Sequence, residues 1–257
     1  MTQTARELSP SDTLTKVPEV TLMFWLLKIA ATTLGETGGD AVSMSLNLGY
    51  LVSTLIFAVL FAASVAAQIK ARAFNPWLYW LTIIATTTVG TTLADFADRS
   101  LGIGYAGGTT LLSLLLIASL FIWHRTLGSI NIRTIVSAKA EIFYWVTIMF
   151  SQTLGTALGD WTADSAHLGY LGGTVIFGGL LLLLVAAYYL THISRTALFW
   201  LAFILTRPLG AVVGDFLDKP IADGGLALSR MGASATLLAF IVLCLIFFRH
   251  RAARHAH

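Results

Sequence analysis

Superposing Trp25, Trp80, Trp145 and Trp200 brings four stretches of the chain into register without a gap: WLLKIAATTLGETGGD, WLTIIATTTVGTTLAD, WVTIMFSQTLGTALGD and WLAFILTRPLGAVVGD. Ten residues after each Trp stands Gly35, Gly90, Gly155 or Gly210, and fifteen after it stands Asp40, Asp95, Asp160 or Asp215. Three copies run on to a Gly-Tyr pair at one offset, Gly49-Tyr50, Gly104-Tyr105 and Gly169-Tyr170, where the fourth has Gly224-Gly225. A chain built this way is one supersecondary unit used four times, and its fold is the packing of that unit against its own copies. The Trp spacings of 55, 65 and 55 residues place ten extra residues around Leu127 to Ser137, which divides the four units into two halves.

Each unit carries two apolar stretches of about twenty residues, the length needed to cross a ~30 Å hydrocarbon layer as helix. The 257 residues are 56% hydrophobic and only 11% charged, with a mean hydropathy of +0.79, whereas a soluble domain carries about 25% charged residues. The sequence therefore predicts an all-α, polytopic membrane protein of eight transmembrane helices, over residues 20–39, 47–69, 76–95, 104–124, 140–160, 169–190, 196–216 and 231–248. Two spans per unit make all four units insert in the same direction, as parallel two-helix repeats about an axis along the membrane normal. The expected organisation is a tail over 1–19, a first half over 20–125, a connector over 126–139, a second half over 140–249 and a basic tail over 250–257.

Lysine and arginine concentrate in the N-terminal tail, in the connections after spans two, four and six, and in the C-terminal tail; the alternate loops hold only Arg99, Lys219 and Arg230. By the positive-inside rule both termini are expected in the cytoplasm of a bacterial cell, with the protein in its inner membrane. The first eighteen residues mix both charges with Ser and Pro, contain no apolar core of signal-peptide length, and read as a mobile tail. Cys244 stands alone, which excludes a disulfide framework or a CxxC site.

The acids have the opposite bias. Nine of thirteen lie at or beside the outer loops: Glu36, Asp40, Asp95, Asp98, Asp160, Asp164, Asp215, Asp218 and Asp223. With each repeat Trp at the inner boundary, fifteen residues of helix rise ~22 Å, so the four repeat aspartates share one depth just below the outer edge. Around a common axis their carboxylates would converge. Each has a companion three or four residues away on the same helical face: Glu36 with Asp40, Asp98 with Asp95, Asp164 with Asp160, Asp218 with Asp215. Carboxylates gathered in a low dielectric need a cation or protons. The bland alternative is that the first helices stop short and leave these aspartates solvated at helix C-termini.

Between Trp and Asp the first helices carry many hydroxyls, among them Thr32, Thr87, Thr91, Ser151 and Thr156, beside Gln152. The first helix of each repeat is thus expected to line a polar interior, and the leucine-rich second helix to face lipid. Arg207 lies at membrane depth, where it needs a carboxylate or carbonyl partner, and Glu36 is the candidate. The repeat Trp residues are expected as interface anchors, Lys28 as a snorkelling lysine, and the basic C-terminal tail as a lipid-attracted segment. His167, three residues after Asp164, is a candidate ligand or pH-sensitive gate; the other histidines lie at helix ends or in the tail.

The fourfold pattern of two spans with a Trp, a Gly ten residues on and a GD-type end resembles a family of bacterial membrane-anchored proteins defined by a tandem repeat of unknown function. The resemblance covers roughly Val20 to Arg249 and implies the architecture and an inner-membrane location, without a catalytic assignment. Locally, Glu36-Thr37-Gly38-Gly39-Asp40 is similar to the ExGD signature of cation/proton exchangers, although an extra Gly intervenes and the other copies lack the Glu.

Oxygen donors without thiolates suit a hard divalent ion such as manganese, magnesium or calcium. The expected function is a transporter of such an ion, exchanged for protons, with Asp40, Asp95, Asp160 and Asp215 as direct metal ligands. Glu36, Asp98, Asp164 and Asp218 are then second ligands or proton acceptors, and Arg207 and His167 serve in charge pairing or gating. The metal is substrate, and no resident cofactor and no nucleic acid is expected; a monomer or a dimer of eight-span units both fit. The alternatives are an intramembrane enzyme or sensor, against which stands the lack of GxSxG or HExxH, and a small organic-cation transporter using Tyr50, Tyr105 and Tyr170.

Overall fold

A computed structural model describes residues 15–253. The chain forms eight long helices: α1 (Leu22–Asp40), α2 (Gly49–Lys70), α3 (Pro76–Asp95), α4 (Tyr105–Leu127), α5 (Ala138–Asp160), α6 (Gly169–Leu190), α7 (Arg195–Asp218) and α8 (Arg230–Phe247). The fold is all-helical, and no strand occurs among the described residues. The odd-numbered helices start on side-chain caps: Thr21, Asn75, Ser137 and Ser194 each accept from the backbone N–H three residues on, satisfying a donor that the first turn leaves free.

Helices α1, α3 and α5 do not stop at their aspartates. Each continues through one π-helical turn, Ala41–Ser45, Phe96–Ser100 and Trp161–Ser165. The aspartates are therefore interior to continuous helices, and the reading of solvated carboxylates at frayed C-termini fails. The repeated Gly-Tyr pair follows. Gly49, Gly104 and Gly169 take φ of +73°, +75° and +64°, the left-handed conformation that lets the chain reverse into the second helix.

The tertiary arrangement is a ring. Helix α1 packs on α3, α3 on α5, α5 on α7, and α7 back on α1, which closes the circle. The outer helices do not pack chiefly on the helix that precedes them in sequence. Each leans instead on the inner helix of the next unit: α2 on α3, α4 on α5, α6 on α7, and α8 on α1. The repeat in the sequence is thus offset from the packed pair in the structure, and the last helix completes the first unit.

Five helices, α2, α4, α6, α7 and α8, are long and apolar enough to cross a membrane. The expected eight is not met by α1, α3 and α5, three of the four ring helices, because of their polar residues; the fourth, α7, is apolar enough. Enclosed by other helices, α1, α3 and α5 carry Thr, Gly, Lys and Glu that a lipid-exposed helix would exclude.

The repeat glycines set the ring's tightness. A Cβ on Gly35 would strike Thr87, on Gly155 Arg207, on Gly210 Thr32, and on Gly90 it would come within 3.1 Å of the Gln152 backbone. Each partner is the residue three before the next unit's glycine, so one contact recurs around the ring. Hydroxyls stitch the same seams: Thr87 donates to the Ala31 carbonyl at 3.2 Å and Thr32 to the Thr206 carbonyl at 3.1 Å. Most of the other threonines bond their own helix one turn back, so these residues serve helix contact more than they line a cavity.

At the end where the termini meet, the ring is filled by aromatic side chains. Trp80, Trp145 and Trp200 are buried among Phe24, Tyr79, Tyr144 and Trp123, with the Tyr79 and Tyr144 hydroxyls 2.6 Å apart. Three of the four repeat Trp residues are therefore core rather than interface anchors; Trp25 is half-buried because Phe24 takes the inward place. The segment after residue 14 is no free tail either. Pro18 forms an antiparallel bridge with Ala252, and Lys16 pairs with buried Glu141 at 2.6 Å. Residues 1–14 and 254–257 lie outside the described residues.

Candidate functional site

Three of the repeat aspartates close the α-helical part of α1, α3 and α5, the fourth lies in the last turn of α7, and all four are buried, at 1% to 3% exposure. Three carboxylate groupings have ligand oxygens mutually within 4.8 Å: Glu36 with Asp160 and Asp215, Glu36 with Asp40 and Asp95, and Asp40 with Asp215 and Asp218. Glu36 belongs to two of them, so the acids of all four units form one connected cluster.

One helical turn deeper lies a charged layer. Arg207 is fully buried, with both terminal nitrogens 3.1 Å from Glu36 Oε2. It also donates to the hydroxyls of Thr91, at 2.5 Å, and Thr156. Glu36, Thr91 and Thr156 each follow the repeat glycine directly. A guanidinium that touches the equivalent position of three units lies close to the axis relating them. The partnership expected for Arg207 is present, and its reach to Thr91 and Thr156 is a further finding.

Two cations cover the aspartates from the outer side. Lys219 Nζ bridges Asp40 Oδ2 at 2.5 Å and Asp215 Oδ1 at 3.0 Å. Arg99 Nε is 3.1 Å from Asp95 Oδ1, with its Nη2 3.9 Å from Asp160 Oδ2. Each joins the aspartates of two adjacent units. Arg230 adds longer contacts to Asp218 at 3.4 Å and Asp40 at 3.8 Å. Burial alone would lower the Lys219 ammonium, but Asp215 and Asp40 outweigh it and hold the group protonated well above the ordinary lysine value. Buried oxygens remain without a hydrogen-bond partner, among them Asp40 Oδ1, Asp160 Oδ2 and Asp218 Oδ1.

The companion acids divide. Asp218 and Glu36 join the cluster. Asp98 is half-buried and faces Gly108, and burial against that helix raises its carboxyl above the usual range despite Arg99 beside it. Asp164 is exposed and accepts from the Tyr105 hydroxyl at 3.2 Å, so the structure does not bring it to Asp160's side of the site. The π turn that begins after Asp160 alters the α-helical register on which that pairing was expected. His167 is exposed too, at φ +54°. It occupies the left-handed turn position that is Asn47 in the first unit and Gly102 in the second, a conformation in which Asn and His are enriched. Its place is that of a turn residue.

Lys28 does not snorkel. It is fully buried, 4.2 Å from the Phe203 ring centroid and 3.5 Å from Gln152 Oε1. It sits two turns before Glu36 on α1, and no carboxylate lies within ion-pair distance of it among the described residues. The axis thus carries, from the end with the termini outward, an aromatic layer, Lys28, the Arg207–Glu36 layer, the four aspartates, and the cover of Lys219 and Arg99.

The fourfold sequence repeat and the fourfold ring are one pattern, and a known family has it. Residues 23–74, 78–129, 143–194 and 198–253 match the Repeat of Unknown Function (DUF347). The chain belongs to this repeat family. Its four matched units take in all eight long helices, five of them apolar enough to cross a membrane. No curated protein and no solved structure matches the chain. Family membership supports a membrane protein of tandem repeats and names no substrate.

Proposed function

We propose that this member of the repeat family is a multi-pass transporter of a hard divalent cation such as manganese, magnesium or calcium, exchanged for protons at the cluster of repeat aspartates. All eight helices cross the bilayer in this reading, with both termini at the cytoplasmic face. One observation carries it: six buried carboxylates, those of Glu36, Asp40, Asp95, Asp160, Asp215 and Asp218, face four cations, Arg99, Arg207, Lys219 and Arg230. Two negative charges are left without a partner. In a site shielded from water such an excess requires two protons or one divalent ion.

The geometry suits an ion rather than an organic cation. Two ligand oxygens at the 2.3–2.6 Å typical of calcium lie at most ~5 Å apart, and the three carboxylate groupings meet that limit. Two of the three tyrosines that could cradle an organic cation are engaged at the rim, Tyr50 with Arg99 and Tyr105 with Asp164. Lys219 then acts as a tethered counter-cation, held between Asp40 and Asp215 until the substrate displaces it.

A carrier fits better than a channel. Inward of the aspartates an ion would meet the Arg207 guanidinium, the buried Lys28 side chain and the aromatic layer, a positive charge and a dry plug on one axis. The site is therefore closed toward the termini, and movement of inner helices past one another is needed to open it there. The testing experiment is thermal melting of purified protein against manganese, magnesium, calcium and potassium, repeated with Asp40→Asn and Asp160→Asn. The reading expects a divalent-specific rise in melting temperature that both variants lose. The absence of any shift in the wild type would overturn it.

A further inference from the structure

On the flank of the ring, α2 crosses beside α5 and leaves an apolar groove of about 450 Å³, bordered by Phe61, Ala62, Ala66, Ile69, Ile142 and Trp145. Its α5 wall is open to the outside: Ile142 and Val146 are 51% and 43% exposed, as are the repeat positions of Val146 in α1 and α3, Leu26 at 43% and Leu81 at 56%. The space has a source in the sequence. At the repeat positions of Ala62 the second and third units carry Ile117 and Leu182, and at those of Ala66 they carry Phe121 and Ala186. The first unit alone among these three is small at both places, so its seam is the roomy one.

The charges beside the groove show what fills it. Lys70 follows Ile69 directly, and Lys139 stands one helical turn before Ile142; both are exposed at the end where the termini meet. The acid on the α5 side of the groove is already neutralised, since Glu141 is paired with Lys16 at 2.6 Å, and Lys16 also donates to the Ile69 carbonyl at 2.9 Å. Among the described residues neither Lys70 nor Lys139 is in an ion pair, and the two ammonium groups flank the mouth of a greasy slot. We propose that this groove is a binding site for an anionic phospholipid, its acyl chain lying along Ala62 and Ala66 and its phosphate held by Lys70 and Lys139. The proposal rests on the membrane reading of the chain and is independent of the cation site on the axis.

The lipid would bridge α2, which packs on α3, to the neighbouring inner helix α5, which α2 itself barely touches. The test uses the full-length protein in detergent, titrated with phosphatidylglycerol or phosphatidylcholine of the same chains, with binding read by native mass spectrometry. Phosphatidylglycerol is expected to bind more tightly than phosphatidylcholine, by about fivefold for each lysine contact. Lys70→Gln/Lys139→Gln, surface changes that leave the core untouched, should remove that preference and keep the binding of both lipids. Ala62→Ile and Ala66→Phe, which place in the first unit the residues of the second, should lose binding of both. Equal affinity of the wild type for the two lipids would overturn the proposal, as would undiminished phosphatidylglycerol binding in both groove-filling variants. A groove buried in a dimer of the wild type, opened by those variants, would contradict it too.

Discussion

Arg207 and Glu36 lie 171 residues apart in the chain and meet at 3.1 Å on the axis of the ring, both without measurable contact with solvent beyond a few per cent. The pair ties the fourth unit to the first, and through Thr91 and Thr156 the same guanidinium holds the second and third. Breaking a buried ion pair by removing one partner leaves an uncompensated charge and costs about 3–5 kcal/mol. Glu36→Gln and Arg207→Met are each expected to lose stability of that order, measured by thermal or denaturant melting in detergent. Glu36→Gln with Arg207→Met together should cost less than the two single changes added, because no orphan charge remains. Additive losses would show that the two residues do not act as a pair.

The glycine seams give a second expectation. Gly35→Ala and Gly210→Ala put a methyl group into Thr87 and Thr32, where the neighbour is pinned by its own bond to a carbonyl of the adjacent helix. Overpacking of this kind costs about 1–3 kcal/mol. Gly178 and Gly179 on α6 have open space around an added Cβ, and Ala there should stabilise the helix by roughly 0.5–1 kcal/mol. Melting temperatures of the four alanine variants separate the two classes; equal effects would deny the seams their role.

Asp98 supplies a pH dependence whose sign can be worked out. Its folded carboxyl titrates above the unfolded value because burial penalises the charged form. The folded state then holds more protons in that window, so its stability falls as pH rises from about 4 through the folded value. Asp98→Asn should accordingly raise the melting temperature at pH 7 and lose its advantage near pH 4. Since much of the group is exposed, the gain is small. A benefit independent of pH would point to packing against Gly108 instead.

Lys219 tests the tethered-cation mechanism. Replacing it by Gln leaves Asp40 and Asp215 without their closest positive charge. The metal-free protein should melt lower, while added divalent ion should restore it at lower concentration than the wild type needs, since no internal ammonium competes. Loss of ion-dependent stabilisation in Lys219→Gln would make the lysine a structural tie and nothing more.

Much of this was legible in the residues. The repeat, the common depth of the aspartates, the inner and outer roles of the two helices and the Arg207–Glu36 partnership follow from spacing and from the cost of charge in lipid. What escaped was geometry that a 3.6-residue period does not encode. The π turns after Asp40, Asp95 and Asp160 shift the register beyond them, and Asp164 points to Tyr105 as a result of neighbours no local rule names. Arg99 and Lys219 stood four residues after their aspartates, in plain view as i, i+4 pairs. As scarce basic residues in outer loops they read from the sequence as topology signals. Lys28, Trp80, Trp145 and Trp200 depart from their expected places for a related reason. Distance along one helix gives depth in a membrane, but only the closing of the ring shows whether a side chain at that depth faces lipid or the axis.

The central claim, a cation site two positive charges short at the meeting point of four units, is tested most directly by titrating lightly buffered, purified protein with manganese while counting bound metal and released protons. The account predicts one ion bound per chain with release of up to about two protons at near-neutral pH, and loss of both signals in Asp40→Asn/Asp215→Asn. Binding that releases no protons and persists in that double variant, or no binding at any accessible concentration, would contradict it.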